Sequence, residues 1–176
     1  IVYATTDETE LNQVITMIDA ATQIAERVTG RMFISRNVTQ LYDSFPENVA
    51  GKVSPFILKG GLANSVDEVT YINSQFVSQQ LTAAAYRIVN KYGRSFVYPA
   101  MGTAWPTDIA NEVDSLSITF SVGTPAPSVP APVKMAILMI AASLWENREN
   151  EAVGPNLKAL KPAIAAKDLL HPYKLR

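Results

Sequence analysis

The side chains best suited to acid–base or metal chemistry fall in three carboxylate clusters: Asp7-Glu8-Glu10, Asp67-Glu68 and Glu146-Glu149-Glu151. Paired carboxylates are the minimum for a general acid–base couple or an oxygen-ligand metal site. Each cluster has a plainer reading. The first complements a helix N-terminus, where negative charge is favoured. The second falls where a β-turn meets a strand, and the third on the polar end of a helix beside Arg148. The chain has no Cys and a single His, His171. Thiol nucleophiles, thiolate metal sites, multi-His ligand sets and His-based triads are therefore excluded. No G-x-x-x-x-G-K-[ST], no G-x-G-x-x-G before a helix and no G-x-S-x-G elbow occurs, so no motif cradles a phosphate or presents a strained serine. The residues predict neither an enzyme nor a bound cofactor or metal.

Bulk charge offers no grip on nucleic acid, since 15 Lys+Arg against 16 Asp+Glu leave a net of −1. The balance hides an asymmetry. Residues 158–176 hold five bases (Lys158, Lys161, Lys167, Lys174, Arg176) and one acid, a net of +4, while residues 1–157 are at −5. This basic tail has one aromatic, Tyr173, too few for a base-stacking platform. It also carries Leu160, Ile164, Leu169, Leu170 and Leu175, which a merely solubilising tail would not need. These must pack on the globule or on another chain.

At 176 residues and 48% hydrophobic, the chain is long and apolar enough for a folded core. Its longest apolar stretch, 135–145, is 11 residues, where a membrane span needs about 20. The pattern predicts an α+β fold in three parts. A first helix over 8–29 places Leu11, Val14, Ile15, Ile18, Ala21, Ala25 and Val28 on one stripe, with Gly30 as a left-handed stop. A β-rich insert over 32–123 follows. Its clearest strand is Leu116, Ile118, Phe120 and Val122 alternating with Ser and Thr, which favours an antiparallel sheet. Within it, the 99–108 segment reads as an exposed loop whose Trp105 is either a lid over the sheet or an interaction anchor. A second helix over 130–150 is apolar nearly all round, so it is central in the fold or buried by a partner. A short helix over 162–170 should stop at His171-Pro172. The domain reading is one unit over 1–157 with a docking tail over 158–176.

Five segments in order carry a family resemblance. They are the helix end Ala21…Ile24…Glu26…Thr29-Gly30-Arg31; Val69-Thr70-Tyr71 followed by Tyr86-Arg87-Ile88; Trp105-Pro106 ahead of Phe120-Ser121-Val122-Gly123; Val129-Pro130-Ala131-Pro132-Val133-Lys134-Met135-Ala136-Ile137-Leu138 running to Trp145-Glu146-Asn147-Arg148-Glu149; and Leu169-Leu170-His171-Pro172-Tyr173. Together they resemble the head–tail connector (adaptor) proteins of tailed bacteriophages and gene transfer agents, over nearly the whole chain. The resemblance implies a virion structural protein of the neck, made in the bacterial host cytoplasm. It implies a homo-oligomeric ring, usually of twelve copies, between the portal and the stopper or tail-completion protein. The ring would extend the channel through which genomic DNA passes without sequence-specific binding; no membrane and no catalysis are involved.

The residues suit that role. An acidic body would not hold sliding DNA. The tail would dock on the portal, with Leu169, Leu170, Tyr173 and Leu175 as apolar anchors and Lys167, Lys174 and Arg176 as a charged rim. Arg31 and Glu146-Asn147-Arg148 stand at helix ends, either capping them or meeting a neighbouring subunit. The competing reading is a monomeric protein-binding adaptor whose β-insert is the docking face.

Overall fold

The computed structural model describes residues 8–48, 53–146 and 164–175. The chain folds as two compact units. A helical unit is built from the stretches 1–30 and 128–174, and a β unit from 31–127 with 175–176. This division differs from the expected body-plus-tail split. The last helix packs on the helix before it, so the described tail residues 164–174 belong to the helical unit.

In the helical unit, α1 (Glu8–Thr29) begins with Glu8 and Glu10 in its first turn and has Arg27 in its last, complementing the helix dipole at both ends. It ends where Gly30 adopts φ 71° and donates its N–H to Glu26 O at 2.8 Å, a left-handed stop that costs glycine nothing. α2 (Ala131–Glu146) starts after Pro130, whose carbonyl accepts the N–H groups of Val133 and Lys134. Pro132 sits in the first turn, where no N–H is required. The rest of the expected 130–150 helix lies outside the described residues. α2 buries Val133, Ala136, Ile137, Ile140 and Ala141, packing on α1 and on α3 (Ile164–Leu170). Small residues, Ala21 and Ala25 on α1 and Ala136 and Ala141 on α2, let the helices approach closely. α3 ends at Leu170, as the His171-Pro172 pair predicts, and the chain continues through one 3₁₀ turn, His171–Tyr173. Pro172 fits there because the first positions of a helical turn need no N–H donor.

The β unit has two antiparallel sheets. The four-stranded sheet has the order β1-β7-β3-β4, from β1 (Arg36–Tyr42), β3 (Ala63–Ile72), β4 (Ser78–Gln80) and β7 (Leu116–Val122). The three-stranded sheet runs β2-β6-β5, from β2 (Phe56–Leu58), β5 (Tyr86–Lys91) and β6 (Arg94–Pro99). β7 is flanked on both sides and alternates as its sequence predicts: Leu116, Ile118, Phe120 and Val122 are buried, Ser117, Thr119 and Ser121 only partly. Both sheets feed one core, with Phe56, Leu58 and Val97 from one and Val69, Ile118 and Phe120 from the other. Gly123 has φ 87°, and a Cβ there would lie 2.4 Å from Ile34 O, so glycine is required where β7 leaves the sheet.

Candidate functional site

The carboxylate clusters disperse. Glu8, Glu10 and Glu146 are exposed on their helices, while Asp7, Glu149 and Glu151 lie outside the described residues. Asp67 and Glu68 are not at a turn but inside β3, where the pairing with β7 shifts register between Val66 and Glu68. The irregularity leaves both acids exposed, and Ser65 Oγ donates to Asp67 Oδ1 at 2.6 Å. Among the described residues, no group of three or more His, Asp or Glu is placed to hold a metal ion. A shallow groove beside Arg87, Tyr98 and Met101 carries no acid–base pair, and its arginine lies 5.3 Å over the Tyr98 ring.

Trp105 is 8% exposed. Its ring stacks on Phe45 at 5.3 Å and meets Phe56 edge-on at 5.2 Å, while its Nε1–H donates to Ser54 O at 3.2 Å. That is the lid arrangement; as an interaction anchor the indole has almost no free surface. The exposed residues of its loop are Met101 to Ala104, Thr107 and Asp108.

The expected docking residues of the tail do not share one face. Leu170 is 1% exposed, buried with Ala166 where α3 packs on α2. A leucine already enclosed by its own subunit cannot anchor a partner, so that expectation is corrected. Leu169, Tyr173 and Leu175 are half-buried, and Lys167 and Lys174 are exposed. Leu175 Cδ2 comes within 3.5 Å of a Cβ built on Gly93, so it belongs to the β unit. Arg176 is outside the described residues. Arg31 bridges to Gly60, and its guanidinium lies beside Gly93. Glu146 is exposed, and Asn147 and Arg148 lie outside the described residues.

Two aromatics are highly exposed, Tyr92 (92%), in the Tyr92-Gly93 pair that marks a turn in the sequence, and Phe76 (71%), which no sequence signal marks. Both have positive φ, 53° and 61°, where a non-glycine residue is uncommon and mildly strained. Neither turn contains the Asn-Gly or Asp-Gly pair that would have marked it as a tight hairpin.

Among titratable groups, burial pushes the Tyr42 phenol up to about 12, partly offset by a hydrogen bond from Gln40. Burial and then the charge of Asp67 raise Tyr86. Tyr42 donates to Ile57 O at 3.1 Å and Tyr86 to Val66 O at 3.5 Å.

No family model and no curated relative matches the sequence. Solved structures do match in shape. The neck of an empty gene transfer agent particle, computed with C6 symmetry, aligns at TM-score 0.76 and 18% identity, covering 100% of this chain and 84% of that one. This chain has the fold of a neck protein. The neck of a native particle, computed with C12 symmetry, aligns at TM-score 0.70 and 17% identity, over 93% of this chain and 82% of that chain. A chain of the native virion aligns equally well, over 99% and 82%. The neck fold thus extends over both units.

Proposed function

We propose that this chain is a structural protein of a phage-like virion neck, forming a ring between portal and tail that extends the DNA channel. The observation that carries this reading is the full-length likeness to the neck of a gene transfer agent particle. Twelve copies per ring is the stoichiometry suggested by the C12 symmetry of the native neck. The acidic balance of residues 1–157 suits a lumen that lets DNA slide. In this reading, the C-terminal segment docks on the portal through Lys167, Lys174 and the partly exposed Leu169 and Tyr173. Leu170 holds that segment to its own subunit.

The test is negative-stain electron microscopy of the full-length protein mixed with its portal ring. A second ring stacked under the portal is expected. Deleting the tail would also remove α3 from α2, so the docking test uses K167E/K174E, two exposed positions. That variant should form rings but not stack. No stacked ring with wild-type protein would favour the monomeric adaptor instead.

A further inference from the structure

The β unit segregates its charge by end. The strands are antiparallel, so their connections fall alternately at one end or the other. At the first end lie 31–36, the Lys59-Gly60-Gly61-Leu62 link, the β5–β6 turn 91–94 and the exit 123–127. Arg31 bridges to Gly60 and lies beside Gly93, and Ala63 N–H donates to Ser95 Oγ at 2.8 Å, so these connections form one cluster. They contain five bases, Arg31, Arg36, Lys59, Lys91 and Arg94, and no acid.

At the opposite end lie 43–48, the β3–β4 turn 73–77 and the long link 100–115. Ser74 Oγ and N–H both donate to Asp108 Oδ1, Ala110 N–H donates to Ile72 O at 2.8 Å, and Asp114 N–H donates to Asp43 Oδ1 at 2.9 Å. Among the described residues these connections contain five acids, Asp43, Glu47, Asp108, Glu112 and Asp114, and no base; Lys52, in the same β1–β2 link, lies outside the described residues. Each end also presents apolar surface. The acidic end has Phe76, Val77 and Val113, and the basic end has Tyr92 and Leu62, all exposed.

The acidic end is built to hold Phe76 outward. Asn73 is buried, and its Oδ1 accepts the N–H groups of Gln75 at 3.1 Å and Val77 at 2.9 Å. Phe76 N–H donates to Asn73 O at 2.9 Å. A turn with this many internal bonds keeps a large apolar ring in water at a positive φ.

We propose that neighbouring copies of this chain meet through opposite ends of the β unit, the acidic end of one against the basic end of the next. The inference rests on the ring reading and names the contact that closes the ring. A ring requires two different, complementary patches on each subunit, a heterologous interface that closes by rotation. This unit carries such a pair: opposite charge at the rim and apolar residues within each patch, the usual anatomy of an interface. A foreign basic protein would fit the acidic end as well, but would leave the matching basic end unused.

The test is a charge swap at exposed positions, read by sedimentation velocity and negative-stain microscopy. E47K/E112K/D114K takes the described acidic end from −5 to +1, and R36E/K59E/K91E takes the basic end from +5 to −1. Each variant alone should lose the ring, because like charges now face each other. A one-to-one mixture should recover it, since each reversed end meets its complement in an alternating ring. A zero-length carbodiimide cross-linker should join Glu47 or Glu112 of one copy to Lys59 or Lys91 of the next in wild-type rings. Phe76→Gly, better suited than phenylalanine to φ 61°, should stay folded yet weaken assembly about tenfold. If both charge variants form rings alone at wild-type concentration, this contact is wrong and the ring reading stands. If wild-type protein stays monomeric with portal rings present, the ring reading fails and takes this contact with it.

Discussion

The β unit and the helical unit cover their apolar residues differently. β7 has a strand of the same chain on each side, and every apolar position on it is buried. α1 carries an equally regular apolar stripe, yet only its C-terminal half is covered: Ala21 and Ala25 are fully buried, whereas Leu11 and Ile15 are each 48% exposed. Periodicity states which face of an element is apolar; whether the chain itself covers that face depends on its neighbours.

The strongest way to break the comparison is to open the closed core. Phe120→Ala removes a fully buried ring from β7 and should cost about 4 kcal/mol. The two tryptophans separate the readouts, since Trp105 lies in the β unit and Trp145 in the helical unit. In a Trp145→Phe background, urea unfolding followed by Trp105 emission should shift to much lower denaturant. A loss under 1 kcal/mol would mean that the β core is loosely packed and that its contrast with α1 is false. Next in size is Leu170→Ala. This leucine is buried against α2, and its truncation should cost the helical unit about 3 kcal/mol, read by circular dichroism at 222 nm. A leucine reserved for the portal would cost nothing in the free protein.

A smaller effect should appear only in alkali. The Tyr42 phenol is raised by burial from 10.0 to about 12. Between those values the unfolded chain has lost its proton and the folded chain has kept it. The stability contribution present below pH 10 is therefore lost progressively as the pH rises toward 12. Tyr42→Phe should flatten the fall in stability over this window. Some slope should remain, because Tyr86 is raised in the same direction. An unchanged slope would mean that Tyr42 is already solvated and that β1 closes the core less well than its register implies.

Much of this architecture was legible in the residues. Gly30 and the seven-residue stripe delimit α1, alternation delimits β7, and Pro130-Ala131-Pro132 announces α2. For Trp105 the sequence left two readings open, lid or interaction anchor, because a large ring in an exposed-looking loop fits either. What stayed hidden depends on assembly in space. The bases and acids of the β unit are interleaved along the chain, and only antiparallel pairing gathers them at opposite ends. The positive φ of Phe76 is imposed by the side chain of Asn73, three residues earlier, in a segment with no glycine. The burial of Leu170 requires α3 to return to α2, and nothing in a seven-residue helix specifies its partner.

The smallest expected effect is the most discriminating. Ile15→Ser changes an apolar residue that is already half exposed on the uncovered part of α1. Surface substitutions away from packed features usually move stability by no more than about 0.5 kcal/mol. The free protein should therefore unfold at an unchanged midpoint by circular dichroism. A β-branched residue gives way to serine at similar helix propensity, so the helix itself should not weaken. A loss of about 2 kcal/mol instead would mean that the stripe is covered within the folded subunit. The two units would then both be closed, and exposure along α1 would no longer distinguish them.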